Sequence, residues 1–118
     1  MPMRAGNYRG GPQPPRSTAL YEAILRLGSL EECIRFFDDL CAVTELRTLE
    51  QRYDVACCLQ EGKVYSEIRR ETGASSATVS RVNRMLNYGQ GQVAESVRYD
   101  LAHRPQTGPD APDPGDDE

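Results

Sequence analysis

Residues 62–88, GKVYSEIRRETGASSATVSRVNRMLNY, set two short helical patterns on either side of one glycine. The first opens at Tyr65 or Ser66 and is anchored by Ile68, and Gly73, which tolerates positive φ, stands just past its end. Ser75 offers a new N-cap. From Ser76 the second pattern carries Val79, Val82 and Leu86 at i, i+3 and i+7, one apolar stripe with a polar face opposite. That outward face reads Ser76, Ala77, Ser80, Arg81 and Arg84. Two helices joined in this way form a helix-turn-helix. Small and hydroxyl-bearing residues at the front of its second helix, followed by guanidinium groups, suit close approach to a groove and a hold on the flanking phosphates. A helical hairpin inside a bundle would fill an exposed face with better helix formers than GASSATVSR.

Charge distribution supports a nucleic-acid partner although the total does not. The chain has a formal net charge of -4. Within residues 62–88, Lys63, Arg69, Arg70, Arg81 and Arg84 stand against Glu67 and Glu71, a local +3, whereas residues 19–61 hold nine acids and four arginines. A basic reading head on an acidic body favours one docking orientation on double-stranded DNA.

The rest of the chain reads as helices. Thr18 precedes the pattern Leu20, Ile24, Leu27, which Gly28 closes. Ser29 and Glu32 have capping-box spacing at the start of a second helix. Its stripe of Leu30, Ile34, Phe37 and Cys41 is broadened by Cys33, Phe36 and Leu40, a width that predicts packing against a second chain as well as its own. Thr44 is the expected N-cap of the longest helix, in which Leu46, Leu49, Tyr53, Ala56 or Cys57, and Cys58 to Leu59 recur at helical spacing, with Gly62 at its end. After Gly89, Val93, Val97 and Leu101 predict a last helix over 92–103. No strand alternation occurs, so the expected fold is all-α with five to six short helices.

The ends differ in composition. Residues 1–16 carry Pro2, Pro12, Pro14 and Pro15 with little apolar content, and residues 105–118, PQTGPDAPDPGDDE, hold four prolines and five acids. Both are expected to be disordered, which leaves one folded domain over 17–104. A core of that size is thin, and oligomerisation commonly adds buried area.

Cys33, Cys41, Cys57 and Cys58 lack metal-ligand spacing and His103 is the lone histidine. No metal or cofactor is implied, and the cysteines are expected to pack as core thiols. No serine or cysteine has a base beside it by spacing, so an enzyme is not expected. The absence of a long apolar run and of a signal-peptide core predicts a cytoplasmic protein without a membrane partner.

The segments LEQRYDVACCLQEGKVYSEI and ETGASSATVSRVNRMLNYG resemble the YerC/YecD branch of the Trp-repressor-like proteins, a resemblance that spans about residues 20–88. It implies an intertwined all-helical homodimer, each chain presenting one helix-turn-helix to half of a palindromic operator, and hence a transcriptional regulator, a repressor by analogy. Carried over by position, Ser76 and Ala77 fall where the Trp repressor meets base edges, and Arg69, Thr78 and Ser80 on its phosphate contacts. The candidate DNA-binding set is therefore Arg69, Ser75, Ser76, Ala77, Thr78, Ser80, Arg81 and Arg84. The resemblance also sets Arg52 and Arg81 where the Trp repressor clasps its corepressor, but Val82 replaces the glycine that leaves room for the indole. Tryptophan is thus disfavoured and no corepressor is named. A phosphate contact or salt bridge for Arg81, and an ion pair of Arg52 with Glu45 or Glu50, are expected instead. Two other readings are open: a sigma-factor-like DNA-reading domain working with partners, and a helical protein-interaction module.

Overall fold

In the computed structural model, residues 15–104 are described. The expected tail 105–118 and all but the last two residues of the expected arm 1–16 lie outside them. The described residues form six helices and no strand: α1 Ala19–Leu25, α2 Leu30–Leu40, α3 Val43–Gln60, α4 Tyr65–Thr72, α5 Ser76–Tyr88 and α6 Gln92–His103. This is the all-α architecture expected. The chain divides into two compact units at Cys41 and Ala42.

The first unit holds α1 and α2. Helix α1 stops at Leu25, earlier than Gly28, because Arg26 and Leu27 donate to Ala23 O and Ile24 O at 3.1 Å each, i to i−3 bonds that tighten the last turn and release the chain. At the start of α2, Ser29 Oγ accepts from the Glu32 N–H at 3.1 Å as expected, but the Glu32 carboxylate reaches back to Gly28 N–H at 2.7 Å and not to Ser29. Phe36 and Phe37 meet edge to face at 5.3 Å. Neither helix buries a single side chain. Of the wide apolar face predicted for α2, Leu30, Ile34 and Leu40 are exposed among the described residues, while Cys33, Phe36, Phe37 and Cys41 are half-buried.

The second unit is built on α3, against which α4, α5 and α6 all pack. Its first turn starts two residues before the position predicted by Thr44. Ala42 is the N-cap, and Glu45 Oε1 accepts from the Ala42 N–H at 2.8 Å, the half of a capping box that needs no hydroxyl. Only the back half of α3 enters the core, through Val55, Ala56 and Cys58, while Val43 and Leu49 toward its front are exposed. Ile68 of α4, Ala74 of the turn, Val79 and Val82 of α5 and Val97 of α6 complete the cluster. Tyr53 ties α3 to α6: its hydroxyl donates to Asp100 Oδ2 and lies beside Ser96 Oγ, both at 2.7 Å. Burial, reinforced by that carboxylate, pushes the Tyr53 hydroxyl above its ordinary pKa. Gly89 lets the chain leave α5, since a Cβ there would lie 2.5 Å from Met85 O.

Candidate nucleic-acid interface

The α4–α5 pair forms as the sequence predicted. Gly73 ends α4 in the left-handed region at φ 75°, its N–H donating to Arg69 O at 2.9 Å. Thr72, a polar residue just before the glycine, has a local use: its Oγ1 donates to Ile68 O at 2.8 Å and accepts from the Ala74 N–H at 3.2 Å. Ser75 caps α5 by accepting from the Thr78 N–H at 3.1 Å, and its hydroxyl donates to Thr78 Oγ1 at 3.1 Å. Ser75 and Thr78 are thus engaged in the cap, although the Thr78 hydroxyl proton is still free to be donated outward.

Of the predicted contact residues, Ser76, Ala77, Ser80, Arg81 and Arg84 lie exposed on α5, Arg69 is exposed on α4, Ser75 is exposed at the cap and Thr78 is half-buried. Among the described residues no carboxylate lies within 4 Å of the guanidinium groups of Arg69, Arg70, Arg81 or Arg84. None of the four is in an ion pair within the described residues. Lys63 is different. Its ammonium pairs with Glu71 Oε1 at 2.8 Å and Glu61 Oε1 at 3.2 Å, and Arg104 holds the other Glu61 oxygen at 3.0 Å. Lys63 therefore braces α3, α4 and the end of α6, and does not add to the outward positive face as the residue count of +3 assumed.

This brace has a pH signature. The Lys63 hydrogen bond holds the Glu71 carboxyl below its usual range, and the Glu71 bond raises the Lys63 ammonium above its own. A depressed carboxylate pKa stabilises the fold above the unfolded value, about 4.3, and that contribution is lost as pH falls through the folded value. The raised Lys63 contribution is complete below about pH 10.4 and is lost only above that. The parent should therefore lose melting temperature below about pH 5 more steeply than Lys63→Met, with the two curves drawing together as pH falls further in thermal melts. Parallel curves would remove the brace.

A cavity of about 380 Å³ opens beside the helix pair, lined by Leu49, Arg52, Tyr53, Arg81, Val82, Met85 and Val93. The structure thus brings together the two arginines singled out in the sequence. Arg52 makes neither of the expected ion pairs, because Glu45 is turned to the α3 cap and no carboxylate lies within 4 Å of the guanidinium among the described residues. The cysteines are all free, but only Cys58 is buried; Cys33, Cys41 and Cys57 are half-buried. Burial pushes the Cys57 and Cys58 thiols up, away from the thiolate form that reacts. Among the described residues no helix is long and apolar enough to cross a membrane.

The family model for the Trp repressor protein matches residues 16–100, which span α1 to α5 and most of α6. The chain belongs to the Trp repressor family. YerC of Bacillus subtilis (strain 168), an uncharacterized protein, is 59% identical over 70 residues, covering 59% of this chain and 67% of the relative. A crystal structure of a candidate Trp repressor from Staphylococcus aureus superposes with a TM-score of 0.69 at 43% identity, covering 73% of this chain and 89% of that one. A TrpR-like protein from Eubacterium eligens ATCC 27750 gives 0.68 at 42% identity, over 74% and 89% of the two chains. The Trp repressor family is one of regulatory DNA-binding proteins, and among the described residues of this member exposed arginines stand beside small exposed side chains on α5.

Proposed function

We propose that the protein is a sequence-specific transcriptional regulator, a repressor, that binds a palindromic operator as a homodimer, with α5 entering the major groove. The observation that carries this reading is the set of four exposed arginines on α4 and α5 without carboxylate partners among the described residues, flanking exposed Ser76, Ala77 and Ser80. The arginines, with Ser80 and Thr78, meet phosphates, Ser76 and Ala77 approach base edges, and Ser75 and Thr78 fix the start of the helix. The uncovered apolar side chains of α1, α2 and the front of α3 support the dimer, whose two reading helices then lie about 34 Å apart, one turn of DNA. Residues 17–104 act as the reading domain in this proposal, with 1–16 and 105–118 as flanking segments, in the cytoplasm.

Selection of bound duplexes from a random pool tests the proposal. The parent should enrich a palindrome whose half-sites are about 10 bp apart. Ala77→Phe should shift or abolish the enriched sequence while keeping the fold, because the ring fills the gap between helix and groove floor. The same enriched sequence from both proteins would exclude base readout at Ala77, and no enrichment by the parent would count against the operator.

The cavity favours an effector as a second element. Arg52 and Arg81 line an otherwise largely apolar space, a setting for a small anionic molecule. Val82 at its wall opposes an indole, so tryptophan is not the ligand we assign.

A further inference from the structure

We infer that Gln51 of α3 is a positioning residue for the α4–α5 turn and, resting on the DNA-binding reading above, for the discrimination between operator and random DNA. A helix leaves its last carbonyls without intrahelical donors. At the end of α4 the Gly73 N–H takes Arg69 O, and Gln51 Nε2, from a different helix, donates to Thr72 O at 3.1 Å. Gln51 is half-buried, and its amide also lies over Gly73, where an added Cβ would sit 3.9 Å from Nε2. The bond therefore closes on the turn itself.

From that carbonyl the constraint passes directly to the reading helix. The same residue, Thr72, holds Ile68 O and the Ala74 N–H through its hydroxyl; Ala74 is buried, and the next residue, Ser75, caps α5. Backbone and side-chain bonds thus run without a break from α3 to the first turn of α5, where Ser76 and Ala77 stand. Short side chains there can read bases only if the backbone is fixed, whereas long arginines reach phosphates across small displacements. Loosening the turn should therefore reduce specificity and spare nonspecific affinity.

Two near-isosteric variants of the full chain test this. Gln51→Met removes the donor, and Gln51→Glu in addition sets a carboxylate against the Thr72 carbonyl. For Gln51→Met the ratio of operator to random-duplex affinity should fall by about five-fold, the loss of one neutral hydrogen bond, with random-duplex affinity unchanged. For Gln51→Glu the ratio should fall further. Amide exchange at Gly73 and Ala74 should accelerate in both, while Val55 and Val97 keep their protection. Unchanged ratios with unchanged exchange overturn the inference. So does loss of protection at Val55 and Val97 as well, which would make Gln51 a general stabilising residue. If the parent itself prefers no duplex, the operator reading fails separately, and exchange at Gly73 and Ala74 still decides whether Gln51 holds the turn.

Discussion

The double substitution Arg81→Glu, Arg84→Glu is expected to leave the fold intact and to weaken binding to every duplex by on the order of 100-fold or more near 0.15 M salt. Both side chains are exposed and neither has a carboxylate partner among the described residues, so the fold loses no ion pair and the melting temperature should stay within the small range typical of surface changes. On DNA the loss is large because each neutralised phosphate releases condensed counterions, with a slope of about 0.9 per contact in a plot of log affinity against log salt. At 0.15 M that is roughly a five-fold gain per contact, and a reversed charge adds repulsion of similar size. Anisotropy titrations of a random duplex and of the selected operator over a range of salt should show the slope reduced by about four for the homodimer, two contacts from each protomer. Lys63→Met is the internal comparison: it should lower stability and leave the slope alone, since Lys63 already spends its charge on Glu61 and Glu71. A double variant that binds as the parent does would move the interface away from α5.

Much of this arrangement was legible because local chemistry decides it. Gly73 can adopt φ 75° where other residues are strained, Ser75 is a cap by its hydroxyl, and Val79 and Val82 fall on the buried stripe by helical spacing alone. What was not legible depends on partners distant in sequence. Lys63 counts as one positive charge until Glu61 and Glu71 are seen beside it. Gln51 is an unremarked polar residue on α3 until Thr72, 21 residues away, turns its carbonyl toward it. Val55 is fully buried although the pattern of Leu46, Leu49, Tyr53, Ala56 or Cys57, and Cys58 to Leu59 passes it by; Ala56 and Cys58 of that pattern are buried as expected. In α3 the buried face turns along its length, because its back half meets α4, α5 and α6 while Val43 and Leu49 toward its front stay exposed, and one periodicity cannot describe both. The ends of α1 and α3 shifted for a similar reason. Carbonyl and carboxylate acceptors were taken by neighbours that no single cap residue announces.

Ile68→Ala should cost about 3 kcal/mol of unfolding free energy, a large share of what a unit of this size possesses. Ile68 is the one buried side chain of α4 and the largest of the fully buried ones in the second unit. It anchors α4 to a core made by α3, α5 and α6, and the Gln51–Thr72 bond and the Lys63–Glu71 pair hold the C-terminal end of α4, which limits collapse of the truncated site. Loss should therefore fall within the range for truncations that leave a cavity. Urea unfolding of the full chain measures it, with the slope unchanged if the folded state keeps its compactness. A loss below about 1 kcal/mol would mean that α4 is held by its polar braces and not by its apolar anchor. The consequence for function differs in kind from that of the arginine reversals. A duplex that binds the folded helix pair stabilises it by mass action, so operator DNA should raise the melting temperature of Ile68→Ala, whereas the arginine double variant, which binds duplexes weakly, should gain little from the same addition. That contrast separates a residue that builds the reading head from residues that use it.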